Sequence, residues 1–332
     1  MATFPDKPNR RFQYSFHDRW GFLSDQHVRS LAWLLDAPDL LAPAAPQWQG
    51  KIGTLDVNFG FIRQWLKELD ACPQPLHAWL NLHSFTRLGR YAERLMAFYF
   101  THEGSLISHG LQVRGANQET IGEFDFLLDY ADSLGHTHGN SVLHLELATK
   151  FYLLRTRIGP SGFSHGMDYF IGPNLADTLG LKVRKIIDKQ LMLGQHPAAQ
   201  IQLSRQVGMA KALIKGWLFY HEDEMPDAAE LGLANDHCRG FWCTISELTA
   251  RTEQQYLILP RLSWLAPEKA YLDQVLNKER LTEALFNKFQ HESMPVLVAI
   301  VEPQQGFAIE TERGFIVPDD WQNKAGQRNN SQ

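Results

Sequence analysis

Apolar residues fall at helical spacing in three stretches of the first hundred positions. In SDQHVRSLAWLL, Val28, Leu31, Ala32 and Leu35 form one stripe, and Ser24 or Asp25 is placed to cap the helix that begins there. A second helix is expected from Phe61 to Leu69. A third, over about 83–100, carries the stripe Leu88, Ala92, Leu95, Met96 and Tyr99, with Glu93 beside it. The period then changes to two, and Leu106 to Arg114, Ile121 to Leu128 and Val142 to Leu154 read as three strands. Asn174 is placed to cap a helix running to Leu193 and closed by Gly194, and Lys211 to Tyr220 reads as another strand. The order is helix, three strands, helix, strand. After an acidic loop from Glu222 to His237 come a strand at Gln255 to Trp264, a helix at Glu268 to Phe289, and strands at Pro295 to Glu302 and Gly306 to Val317. The pattern divides the chain into an N-terminal helical segment (1–80), a core (81–225), an α+β extension packed on it (226–322) and a disordered polar tail (323–332). Residues 1–18 read as a loosely held arm.

The third strand carries a contradiction. In LHLELATKFYLL, Leu143, Leu145, Leu147, Phe151 and Leu153 alternate onto one face, which marks a central strand, while Glu146 and Lys150 share the other. In the preceding strand, GEFDFLL, Glu123 and Asp125 share a face with Ile121 and Leu127. Paired as a hairpin through the loop at 131–140, the two strands bring three carboxylates and one ammonium to one sheet face. Burying such charges singly is costly, so a salt bridge or a divalent cation has to compensate them. Carboxylates are hard oxygen ligands suited to Mg²⁺ or Mn²⁺. A lysine beside them suits phosphate chemistry, where it steadies developing negative charge or helps to deprotonate a water.

Composition narrows the setting. The 332 residues are 44% hydrophobic and 21% charged, enough for one large or two modest domains with a sizeable core. A net charge of −5 excludes a surface coated in basic residues but not a local basic groove. Cys72, Cys238 and Cys243 are scattered and read as buried free thiols. No apolar run is long enough to span a bilayer and the first residues lack a signal-peptide core, so a soluble cytoplasmic protein without a membrane partner is expected.

A helix carrying Glu93, a strand reading GEFD and a strand reading E-x-A-x-K resemble the PD-(D/E)XK nuclease superfamily. The resemblance implies an α/β fold with a restriction endonuclease-like αβββαβ core and a mixed sheet. It implies Asp125 and Glu146 as ligands of Mg²⁺ (or Mn²⁺), Lys150 as the catalytic lysine, Glu93 as an auxiliary carboxylate and Glu123 as an accessory one. The second core helix would offer Lys182, Arg184, Lys185 or Gln190 to a substrate phosphate. The implied activity is hydrolysis of phosphodiester bonds in a nucleic acid, DNA rather than RNA. The alternative is a catalytically degenerate member that binds nucleic acid or a protein partner. Phe124 stands where the superfamily has a proline, Ala148 where it has the lysine, and Lys150 lies two residues on, about 6–7 Å along the same face. Through RSLAWLL, RLGRYAERL, GEFDFLL, HLELATKFYL and YFIGPNLADTLG, nearly the whole chain also resembles a single bacterial protein family.

Other features read as structure. His136 and His138 in GHTHGN, and His165 in SGFSHG, are plain loop residues on this reading. GPSGFSHG lacks the G-K-[ST] of a phosphate-binding loop. Trp217, Trp242 and Trp264 are expected in the core. Oligomeric state is left open.

Overall fold

A computed structural model describes residues 11–329 apart from 82–84, 86, 132–136, 156–157, 160–161, 164–165 and 222–225. Helices α1 (Phe12–Trp20), α2 (Gln26–Asp36), α3 (Phe59–Ala71), α4 (Gln74–Leu80) and α5 (Leu88–Glu103) come first. Strands β1 (Leu106–Arg114), β2 (Thr120–Ala131) and β3 (Thr137–Leu154) then form an antiparallel meander. A two-stranded ribbon, β4 (Ile158–Gly159) and β5 (Gly162–Phe163), and the short β6 (Phe170–Ile171) lead to α6 (Leu179–Lys185), which continues as a π turn over Ile186–Gln190. Helix α7 (Pro197–Gln202) precedes β7 (Gln206–His221). The last third holds β8 (Cys238–Thr244), α8 (Ile245–Ala250), β9 (Gln255–Ile258), β10 (Lys269–Tyr271), β11 (Leu276–Asn277), α9 (Lys278–Phe289), β12 (Val296–Gln304), β13 (Phe307–Val317) and α10 (Trp321–Asn329).

The fold is α/β, built on one large mixed sheet in the order β1-β2-β3-β7-β8-β13-β12-β9-β11, with β6 added to β3 and β10 to β13. The three central pairings, β3–β7, β7–β8 and β8–β13, are parallel, and the rest are antiparallel. The sheet therefore runs without a break from the residues of the expected core into those of the expected extension. One face is covered by the large apolar cluster of α1–α5, which reaches Leu145, Leu147, Phe151, Trp217, Trp242 and Phe315. The opposite face packs Ala148, Tyr152, Ile214 and Leu218 against α6.

Local chemistry accounts for these elements. Asp25 caps α2 by accepting from the His27 and Val28 amides. Gly104, at φ 79°, closes α5 in the left-handed conformation a C-cap requires. Strand β7 is buried from Ala212 to Tyr220, as a central parallel strand must be, and is almost wholly apolar there. Its one charge in that run, Lys215, pairs with Asp39 at 2.9 Å, both being nearly inaccessible. Trp217, Trp242 and Trp264 are core residues as expected. No helix among the described residues is long and apolar enough to cross a membrane.

Several expectations are corrected. The arm expected over 1–18 ends in helix α1, whose Phe16 and Trp20 are buried against the sheet cluster. The tail expected from Asn323 is helical to Asn329, because Trp321 and Ala325 anchor it in the same cluster. Strand β3 begins at Thr137, five residues before the expected Val142. Thr178, not Asn174, caps the second core helix, its hydroxyl accepting from the Leu181 amide. The helix expected from Glu268 begins only at Lys278, capped by Asn277, since Lys269–Tyr271 joins the sheet beside β13. Strand β8, short and cysteine-flanked, had not been expected. Cys72 is exposed, unlike Cys238 and Cys243. His136 and His165 lie outside the described residues, as does the side chain of His138.

Gly216 fixes how closely β7 approaches β3. It pairs with Lys150, and a Cβ there would collide with the Lys150 carbonyl oxygen and the adjoining backbone. Gly216→Ala is therefore expected to destabilise the chain by roughly 2–3 kcal/mol, the cost of overpacking a rigid interior, read as a lowered urea midpoint with unchanged slope.

A carboxylate and lysine cleft as candidate active site

The site exists because the pairing of β3 is interrupted. Strand β2 pairs with β3 up to Phe126↔Leu145, and β6 takes up the same edge only at Leu153 and Leu154. Between them, at positions 148–152, that edge has no strand partner among the described residues. The Asp125 side chain fills the first vacant place by accepting from the Leu147 amide at 3.0 Å. The gap opens into a cleft of about 460 Å³. Thr149 and Lys150 form its floor, the first turn of α5 with Arg87 and Arg90 one wall, and Asp177 and Lys182 the other.

Asp125 sits where the alternation of β2 slips. Phe126 and Leu128 belong to the cluster under α5, while Phe124 and Leu127 pack with Leu193 and Ala199 on the opposite face. Glu123 reaches Arg90 on α5 at 2.5 Å, so it lies across the sheet from Leu127 and does not share its face as the alternation implied. One step is lost at Asp125, and this swings its carboxyl toward the edge of β3.

Glu146 is 2% exposed and held from two sides. His144 Nε2 lies 2.7 Å from its Oε1, and Gln190 Nε2 donates to its Oε2 at 2.5 Å. Burial lowers the pKa of His144 to about 4, so near neutrality its ring is uncharged and can donate one proton to Glu146 without cancelling the carboxylate. Asp125 and Glu146 are both pushed well above the usual carboxylate range, chiefly by burial, and for Asp125 next by the charge of Glu146. Glu93 is also raised by burial. Arg90 binds Glu93 at 3.1 Å and Glu123 at 2.5 Å, and these bonds hold its guanidinium charged.

Lys150 lines the cleft and forms no ion pair with another described residue. Burial first, and then Lys182, lower its pKa to about 8, while Asp177, Asp125 and Glu93 pull the other way. The amine thus feels both the carboxylates and the basic wall. Lys182 is tied to Asp177 at 3.0 Å, and Tyr152 donates to the same aspartate. Lys185 is exposed and does not line the cleft, and Gln190 is committed to Glu146. Arg184 pairs with Asp168 at 2.8 Å. Among the described residues no group of three or more His, Cys, Asp and Glu side chains is arranged to hold a metal ion. What is present is a buried pair of carboxylates with no Lys or Arg partner among the described residues, a donor set that suits a hard divalent cation completed by water.

His144, Thr149 and Asp177 were missed. His144 had a signal, two positions before Glu146 on the same alternation. Asp177 had none, since only the fold brings it to Lys182 and Tyr152.

Residues 29–317 match the family described as Domain of unknown function (DUF1853). The chain belongs to that family. Comparison with curated proteins and with solved structures found no match in either.

A carboxyl whose folded pKa is raised lends stability that is complete below its unfolded value, 3.8 for Asp125, and is lost as pH climbs through the folded value of about 8. Without added metal, Asp125→Asn should therefore melt above the wild-type chain at about pH 8, and the difference should shrink toward about pH 4. Equal melting temperatures across that range would show that Asp125 carries no such penalty.

Proposed function

We propose that the chain is a metal-dependent nuclease with a PD-(D/E)XK core, hydrolysing phosphodiester bonds of a nucleic acid. The observation that carries this reading is that Asp125, held on the Leu147 amide, lies near enough to Glu146 and Lys150 to act on both, beside a stretch of β3 with no strand partner among the described residues. With the short β4, β5, β6 and α7 set aside, the element order α5-β1-β2-β3-α6-β7, with β7 parallel to β3, agrees with an αβββαβ core. Asp125 and Glu146 would hold Mg²⁺ or Mn²⁺, which when bound supplies positive charge to the phosphoryl oxygens. His144 and Gln190 fix the rotamer of Glu146. Lys150, lowered to about 8, can hold a proton near the attacking water or give it up. Arg90 keeps Glu93 and Glu123 from repelling the substrate. DNA is the proposed substrate.

The second reading, a degenerate member that binds without chemistry, is favoured by the lack of a third metal-type side chain among the described residues. Purified protein with Mn²⁺ should cleave DNA or RNA, and Asp125→Ala should abolish cleavage. Lys150→Met should slow it by a factor on the order of 10² or more while leaving substrate affinity within a few-fold. Mn²⁺ should also raise the melting temperature of the wild type and not of Asp125→Ala. Binding of nucleic acid without cleavage under any metal would select the second reading. Cleavage that survives Asp125→Ala would remove the first.

A further inference from the structure

The cleft is not built by the first two thirds of the chain alone. Arg261 and Trp264, from the segment between β9 and β10, and Met294, just before β12, line it together with Arg87 and Lys150. The turn at Arg261–Ser263 packs against α5. The charges of this lining do not balance. Arg90 is engaged by Glu93 and Glu123, and Lys182 by Asp177. The side chains of Arg87, Lys150 and Arg261 have no hydrogen-bond or ion-pair partner among the described residues. Three uncompensated cations in one cavity run against the sign of a chain whose net charge is −5. Concave walls of low dielectric concentrate such a field and draw in anions.

The wall has a shape as well as a charge. Arg261 is exposed, and its guanidinium carbon stands 5.0 Å from the centre of the Trp264 ring, a contact that orients it before any ligand arrives. Phe151, Trp264 and Met294 add apolar surface to the same cavity, which a sugar–phosphate backbone does not need and an unpaired base does. At about 460 Å³ the cleft has the size of a small-molecule pocket, enough for a short stretch of one strand and too small to enclose a duplex.

We propose that Arg87 and Arg261 form a binding wall for single-stranded DNA, taking backbone phosphates next to the one at Lys150, with Met294 against an unpaired base. The need for a polyanion stands on the unpaired charges, and its being DNA rests on the nuclease reading.

The test measures binding of a labelled single-stranded oligodeoxynucleotide to the metal-free full chain across a salt series, beside a duplex of the same sequence. Arg87→Gln and Arg261→Gln should each flatten the slope of log affinity against log salt by about 0.7, the share of one phosphate contact on a single strand. Arg261→Lys keeps the charge and should restore the slope. Lys67→Gln, at an exposed position on α3 outside the cleft lining, should leave it unchanged. The duplex should bind roughly tenfold more weakly, the equivalent of one lost base stack. An unchanged slope in both glutamine variants, or an equal loss in Lys67→Gln, overturns the wall. So does a slope that Arg261→Lys fails to restore, which traces the loss to a disturbed Trp264, and so does duplex binding as tight as that of the single strand. With Mn²⁺, the glutamine variants should raise KM more than they lower kcat. If the wild type binds the strand through both arginines and cleaves nothing, the nuclease reading falls and the wall stands. If it cleaves and neither variant shifts slope or KM, the wall falls and the nuclease reading stands.

Discussion

A strand in the middle of a sheet needs a partner on each edge, and over positions 148–152 β3 has one only on the β7 side among the described residues. Everything of interest in this protein is arranged around that interruption. Asp125 replaces one missing ladder bond with its own carboxyl. Strand β6 resumes the ladder at Leu153, closing the far end of the gap. Glu93 and Arg90 of α5 line the cleft with Thr149 and Lys150, while Glu146 with Gln190 lies buried beside it.

The electrostatics have the same origin. Four carboxylates, Glu93, Glu123, Asp125 and Glu146, act on one another, and only two share a guanidinium. The remaining pair is stabilised by neutral donors, the Leu147 amide, His144 and Gln190. Neutral donors orient carboxylates without adding a positive charge beside them. The parallel sequence β3-β7-β8-β13 holds the floor of the cleft rigidly, since each of these strands is covered on both faces.

Much of this was legible in the residues. The alternation in LHLELATKFYLL named the central strand and its charged face, because period two is a property of the strand itself. The stripe on α5 and the cap at Asp25 were equally local. The misplaced elements are those where tertiary context overrides local preference. Phe12 to Trp20 contains too many polar residues to read as a core helix, yet Phe16 and Trp20 are buried by the sheet it lies on. Lys269 to Tyr271 was absorbed into a helix because only β13 makes it a strand. The face of Glu123 was misread because the alternation was assumed unbroken, and the slip at Asp125 is imposed by where β2 leaves β3. Thr149 could not have been singled out, since only the fold makes it part of the cleft floor.

The π turn at Ile186–Gln190 has a consequence for lineage as well as for geometry. Such a turn accommodates one residue more than an α-helix would over the same rise, and an extra residue rotates the C-terminal remainder of the helix by roughly 100°. Gln190 therefore meets Glu146 from a phase that a helix counted at 3.6 residues from Thr178 does not predict. A single-residue deletion between Leu181 and Lys189 would leave a regular helix with its apolar stripe largely intact, yet it would turn the amide away from the carboxylate. Length in this segment, more than identity, is what ties the helix to the site.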